Sequence, residues 1–146
     1  MKRTRLILTF IFAVLISLLL TSITGTQLVL ADIMSFGLDV SFADRVSATT
    51  HDIVGLAPVL SILITTTLFI AFLVAAGCNR YLGGNRTYWY LAAGFVSLPA
   101  SLILIKLIMG ATLFAAARSG AGMFLFALCG LVGGGVFARL TRNKAV

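Results

Sequence analysis

The stretch DVSFADRVSATTHDIVG, residues 39–55, gathers most of the groups in this chain that could bind a metal ion or move a proton. It holds three of the four acidic residues and the single histidine. On a helix, residues seven positions apart lie on one face, about 10 Å apart along the axis. His51 is therefore aligned with Asp44, and Asp52 with Arg45. Because this distance is too long for direct contact, each pair needs a ligand, a partner or another element to bridge it.

Three kinds of site could use these groups. A metal site would combine His51 with Asp44 or Asp52, but no second histidine or cysteine completes the ligand set. An acid–base enzyme could use His51 with Asp52, although sequence neighbours point in different directions on a helix. A docking surface for another protein, formed by Asp44, Arg45, His51 and Asp52, fits the mixed charges beside apolar residues better. We therefore expect no catalytic residue, metal or cofactor here. Of the three sites the docking surface is favoured, but a solvated cap that faces lipid headgroups and binds no specific ligand is favoured over all three.

The local patterns around these residues predict two elements. Apolar residues alternate from Phe36 to Phe42, which is typical of an extended segment with one apolar face. Ser41 and Asp44 then have the spacing of a capping box, which marks the start of a helix. The following residues have helical spacing, with one apolar face. The sequence therefore predicts a short amphipathic helix that turns into the next apolar segment at residues 55–58.

The composition indicates an integral membrane protein. Of 146 residues, 60% are hydrophobic and only 10% are charged, whereas soluble proteins are about one quarter charged. Four apolar runs, at about residues 6–30, 56–77, 88–109 and 121–138, are long enough to cross a bilayer. We predict an all-α fold, a membrane four-helix bundle in one domain over residues 1–146, with residues 31–55 as an outer loop carrying the amphipathic helix.

The first run also has features of a signal peptide, because Val29-Leu30-Ala31 has the small-residue spacing of a cleavage site. Its apolar core is longer than that of a signal peptide and reaches a full span. We therefore interpret it as an anchor helix, with cleavage as the alternative. The second run has Pro58 near its start, and the sequence places this proline in a first helical turn, where its missing N–H costs little.

The charges are divided between the two sides of a chain threaded four times through a membrane. One side would carry eight cations and no acid, namely Lys2, Arg3, Arg5, Arg80, Arg86, Arg139, Arg142 and Lys144. The other side would carry all four aspartates, with Arg45, Arg118 and, near its edge, Lys106. This is the positive-inside distribution, so we expect both termini in the cytoplasm. It also explains the net charge of +7 without a nucleic-acid partner.

Small residues recur at four-residue spacing along the spans. In lipid, helices associate through close backbone packing, which such residues permit. In the fourth span the row is Gly130, Gly134 and Ala138. We predict that this row forms a helix contact, either within the chain or with another copy. Similar rows in the other spans are Ala13, Ser17, Thr21 and Gly25; Thr67, Ala71 and Ala75; and Ala93, Ser97 and Ala100 or Ser101.

The chain is similar to small uncharacterised four-span inner-membrane proteins of Gram-negative bacteria in three short segments. These are HDIVGLAP, IAFLVA and a glycine-rich last span that ends in ARL. The resemblance covers most of the chain from Asp32 onward. It implies a location in the bacterial inner membrane and no activity or site residue.

From these observations we expect an accessory, assembly or interaction subunit, whose partners are the lipid bilayer and either a larger membrane complex or further copies of itself. A small transporter or channel subunit is the alternative, although no Asp, Arg, His or Glu lies within a predicted span to mark an ion path. An enzyme that uses His51 and Asp52 at the membrane surface is third, and we expect no catalytic activity.

The topology predicts that positions 44 and 86 lie on opposite sides of the membrane. Single cysteines introduced as Asp44→Cys and Arg86→Cys, in a background with Cys78 and Cys129 replaced by serine, should react with an impermeant thiol reagent from opposite faces. Labelling of intact spheroplasts and of inverted vesicles measures this. Reaction of both cysteines from the same face would overturn the four-span arrangement.

Overall fold

The computed structural model describes residues 2–37, 39–110 and 119–142. Within these ranges the chain forms four helices and no strand: α1 (Lys2–Ser35), α2 (Phe42–Leu82), α3 (Arg86–Met109) and α4 (Gly120–Arg142). Each helix is long and apolar enough to cross a membrane. The predicted fold class, an all-α bundle of four such helices, is confirmed. Arg118 and Lys144, two of the cations assigned above to a side of the membrane, lie outside the described residues.

The helices pack in a ring that follows chain order. α1 lies between α2 and α4, and α3 lies between the same two helices, whereas α2 and α4 barely touch across the bundle. We name the two ends of the bundle by residues within them: the Asp52 end, where α1 connects to α2, and the Arg86 end, where α2 connects to α3. α2 has 41 residues, or about 62 Å at 1.5 Å per residue, so it extends past a hydrocarbon layer of about 30 Å.

The predicted amphipathic segment is helical, but it is the first part of α2 and not a separate element. Its start has the predicted capping box: Asp44 N–H donates to Ser41 Oγ at 3.2 Å, and Ser41 N–H donates to the Asp44 carboxylate at 3.2 Å. The prediction of an extended segment from Phe36 to Phe42 was too long, since residues 36 and 37 form a turn after α1, residues 39–41 have no regular structure, and Phe42 begins α2.

α2 also passes through Gly55 and Pro58 without a break, so Pro58 lies in the helix interior and not in a first turn. Proline removes one backbone hydrogen bond there. α1 contacts α2 on both sides of this position, through Thr26 and Asp52 before it and through Phe10 and Phe69 after it.

A glycine contact brings α3 and α4 together. Gly94 of α3 faces Gly130 and Gly134 of α4, and a Cβ atom added to any of the three would overlap the backbone of the other helix. On the neighbouring face of α4, Gly133 makes room for the Ser17 hydroxyl of α1. The small-residue row of α4 thus lies in contacts inside the chain, and Ala138, also in that row, is buried in the core.

Near the Arg86 end, one aromatic ring from each helix joins a single layer: Phe10, Phe72, Tyr90 and Phe137. The Phe72 and Phe137 rings are stacked with centroids 4.5 Å apart, and Tyr90 lies 5.2 Å from Phe137. Phe10 meets Phe72 edge-on at 6.1 Å. Since such pairs add to the free energy gained by burial, this layer fixes the relative position of all four helices.

Arg86 joins the start of α3 to the end of α4, next to the aromatic layer. Its guanidinium donates to the Thr141 carbonyl at 3.1 Å and to Thr141 Oγ1 at 3.0 Å, and it lies over the Tyr90 ring at 5.1 Å. The last carbonyls of a helix lack partners within that helix, so Arg86 satisfies one of those of α4. The start of α3 is thereby fixed to the end of α4.

Replacing Gly130 with alanine should destabilise the bundle by about 1–3 kcal/mol, because the added methyl group would meet the α3 backbone. Gly77→Ala is the matched control, since a Cβ atom at that helical glycine would meet nothing within 4 Å. We expect this control to be neutral or to stabilise by about 0.5–1 kcal/mol. Unfolding by titration of SDS into mild detergent measures both, and equal effects of the two changes would contradict the contact.

Candidate functional site

Five polar side chains meet between α1 and α2 at the Asp52 end, and we call them the α1–α2 polar layer: Thr26, Gln27, Arg45, Thr49 and Asp52. Thr26 Oγ1 donates to Asp52 Oδ2 at 2.8 Å. Gln27 Nε2 donates to Thr49 Oγ1 at 3.1 Å, and Arg45 Nη1 donates to Gln27 Oε1 at 3.0 Å. The layer lies beside the bundle core, because Leu28, two residues after Thr26, packs against Leu102 and Phe126.

The polar layer divides the predicted interaction surface in two. Arg45 and Asp52 both face α1, where the adjacent residues Gln27 and Thr26 bridge them. Asp44 is exposed in the capping box, and His51 is exposed with no partner in the part of the chain that the structure describes. Two of the four side chains thus contact α1, and the other two are exposed.

His51 and Asp52, which an acid–base pair would need, also lie in different surroundings. His51 is exposed to the surroundings, whereas Asp52 is partly buried against Thr26 of α1. No group of three or more His, Cys, Asp or Glu side chains gathers within residues 2–37, 39–110 and 119–142. In the described residues, chemistry at His51 would thus have no aligned carboxylate to assist it.

A row of hydroxyls continues from the polar layer into the bundle along α1. Ser17 and Ser22 are 0% and 3% exposed, and within the described ranges neither hydroxyl has a hydrogen-bond partner. Thr24 Oγ1 lies 3.5 Å from the Cys129 thiol of α4, and Thr21 lies beside the same sulfur, which is a weak partner. Sequence reasoning treated part of this row as small packing residues, and missed that their hydroxyls are buried.

The second feature is a groove on the outside of the bundle between α2 and α3, which we call the α2–α3 groove. Its volume is about 580 Å³. It is lined by Ile62, Leu63, Thr66, Thr67, Ile70, Ala71, Val74, Ala93, Val96, Ser97, Ala100, Ser101, Leu104 and Ile105. It follows each helix over thirteen residues, 62–74 and 93–105, and the twelve rises of 1.5 Å between the first and the last residue make about 18 Å.

The groove presents an apolar surface although hydroxyls line it. Thr67 donates to the Leu63 carbonyl at 2.7 Å, and Ser97 donates to the Gly94 carbonyl at 2.7 Å. Ser101 likewise bonds to the backbone of its own helix at 2.8 Å. Because these three hydrogens are already used, an apolar occupant would leave none of these three donors unpaired.

The small-residue rows noted in the sequence thus have different surroundings. The row of α4 is inside the bundle, whereas Thr67 and Ala71 of α2, and Ala93 and Ser97 of α3, line the open groove. Spacing alone cannot separate these cases, because a row that packs within the chain and a row that awaits a partner have the same composition.

No family model, curated protein or solved structure matches this chain. The resemblance to small inner-membrane proteins of Gram-negative bacteria therefore stays a prediction from sequence. The polar layer, the hydroxyl row and the groove are therefore the features of the chain that bear on its function.

Gln27→Leu should destabilise the protein by about 1–3 kcal/mol, because Arg45 would lose a charged hydrogen bond in a partly buried position. His51→Ala, a change at an exposed position on the same end of the bundle, should leave stability unchanged within experimental error. SDS titration in mild detergent compares the two. A larger effect of His51→Ala than of Gln27→Leu would show that the polar layer does not hold α1 to α2.

Proposed function

We propose that this protein is an accessory or assembly subunit of a larger membrane complex, and that it receives a transmembrane helix of its partner in the α2–α3 groove. The observation that supports this is the groove itself: about 18 Å long, apolar, and lined on both sides by small residues.

The groove chemistry favours a helix as its occupant. Helices in lipid associate where small side chains let two backbones approach closely, since burying one apolar surface against another gains little there. Ala71 on α2 supplies one such position, and Ala93, Ser97 and Ala100 supply others over about two turns of α3. An acyl chain can cover any apolar surface and does not require small residues on both walls. A ridge of side chains from a third helix would pack between the small residues of both walls.

We propose the bacterial inner membrane as the location, with both termini in the cytoplasm. The support comes from the charges and from the resemblance in sequence. Arg5, Arg80, Arg86 and Arg139 belong to the Arg86 end, and all four aspartates belong to the Asp52 end. Because cations are retained on the cytoplasmic side during insertion, the Arg86 end would face the cytoplasm.

A subunit of a small transporter or channel is the second candidate. The buried hydroxyls that continue inward from Asp52 favour it, because polar groups inside a membrane bundle often line a path for ions or water. The aromatic layer of Phe10, Phe72, Tyr90 and Phe137 closes the other end of the bundle, so such a path would need a movement of the helices.

A phenylalanine in the groove should block helix docking. Ala93→Phe fills the groove, whereas Ala92→Phe places the same ring one residue away, at an exposed position outside the groove. With native-level expression and gentle detergent, we expect a stoichiometric partner with the wild type and the Ala92 variant. We expect its recovery to fall about tenfold or more with the Ala93 variant, a loss of about 1.4 kcal/mol.

Position-specific crosslinking distinguishes docking from chance capture. A photoreactive residue at position 97, inside the groove, should crosslink to the same partner, and one at position 92 should not. Isolation of a lone monomer, or equal recovery with the two phenylalanine variants, would contradict the proposed function.

A further inference from the structure

We propose that Asp52, Thr26 and Ser22 form a binding site for a monovalent cation such as Na⁺ between α1 and α2. This site is separate from the α2–α3 groove, and the inference does not depend on the proposed function.

The charge of Asp52 has no counter-charge beside it in the described residues. Its carboxylate is partly buried, and its one hydrogen-bond partner in the described residues is the hydroxyl of Thr26. The nearest cation on the same helix face, Arg45, is two turns away and is engaged by Gln27 and Met34. No ion pair joins Asp52 to any side chain that the structure describes. A carboxylate at the edge of a bilayer is costly without a positive charge beside it.

Thr26 has fewer hydrogens to donate than it has acceptors around it. Its Oγ1 lies 2.8 Å from Asp52 Oδ2 and 3.0 Å from the Ser22 carbonyl oxygen. Both neighbours are acceptors, and a hydroxyl has one hydrogen to donate. If the hydrogen goes to the carbonyl, the Thr26 and Asp52 oxygens face each other without a hydrogen between them. A cation bound to both oxygens removes that repulsion.

The hydroxyl of Ser22 lies one turn before Thr26 on α1. It is buried at 3% exposure and has no hydrogen-bond partner among the residues that the structure describes. Helical serine and threonine hydroxyls commonly donate to a carbonyl one turn earlier, as Thr49 and Thr67 do here at 2.7 Å. Ser22 lacks this bond, so its oxygen is free to be a ligand. Residues four apart on a helix lie about 5–6 Å apart at Cβ, within reach of one ion.

The chemistry of these groups selects the class of ion. All are oxygen ligands, which hard cations prefer, and they carry a single negative charge. Calcium sites gather more carboxylates and six to eight oxygens, and softer transition metals take nitrogen or sulfur. One carboxylate with neutral hydroxyls therefore matches a monovalent cation, which would enter from the compartment at the Asp52 end.

The test uses the purified full chain in mild detergent, with chloride salts of sodium or N-methyl-D-glucamine at matched ionic strength. Sodium should raise the midpoint of thermal unfolding in a saturable way, because it binds the folded state alone. Asp52→Asn should abolish the sodium-dependent shift. Ser22→Ala should weaken the apparent affinity about tenfold, as expected when one ligand bond is lost. Asp44→Asn, which removes an exposed carboxylate from the same helix, should keep the full shift.

Broadening of the ²³Na resonance gives a second readout that a purely structural role of Asp52 would not change. We expect broadening with the wild type and with Asp44→Asn, and its loss with Asp52→Asn. Identical midpoints in the two salts, or a sodium shift that survives Asp52→Asn, would overturn the proposal. Should Asp52→Asn fail to fold, the sodium titration of Ser22→Ala decides, and an affinity equal to the wild type would overturn it too.

Discussion

The backbone contact of Gly94 with Gly130 and Gly134 is the constraint on which the rest of the bundle depends. Inside a bilayer, apolar side chains gain little by leaving lipid for protein, so helices need another reason to associate. Here the absence of three Cβ atoms lets α3 and α4 approach until their backbones touch. Gly133 then admits Ser17 of α1 to the neighbouring face. α2 has no comparable contact with α4, and its position is fixed through α1 and through the aromatic layer.

The two ends of the bundle are held by different forces. At the Arg86 end, four aromatic rings and the Arg86–Thr141 contact join all the helices. At the Asp52 end, hydrogen bonds in the polar layer join α1 to α2. Water and headgroups can compete for those bonds but cannot replace ring packing. A displacement of α2 relative to α1 would therefore begin at the Asp52 end, with the aromatic layer as its pivot.

The sequence predicted the fold class because long apolar runs have few other solutions, and the capping box at Ser41 because its signal is local. It was wrong where tertiary packing overrode local signals, as at Pro58, which lies inside α2. Helical spacing predicted that Arg45 and Asp52 lie on the same face of a helix. It could not predict which element lies opposite that face, since nothing in residues 39–55 indicates that Gln27 and Thr26 of α1 do so. Nor could spacing show which small-residue rows face inward.

α2 contributes residues to both proposed sites and thereby connects them. One face of its first half carries Asp52 toward α1, and residues 62–74 line the groove toward α3. The helix is continuous between them, so a change in its tilt would alter the α1–α2 separation and the width of the groove together. If cation binding favoured one tilt, it would change the affinity of the groove for a helix. By thermodynamic linkage the docked helix would then change the affinity for the cation by the same factor.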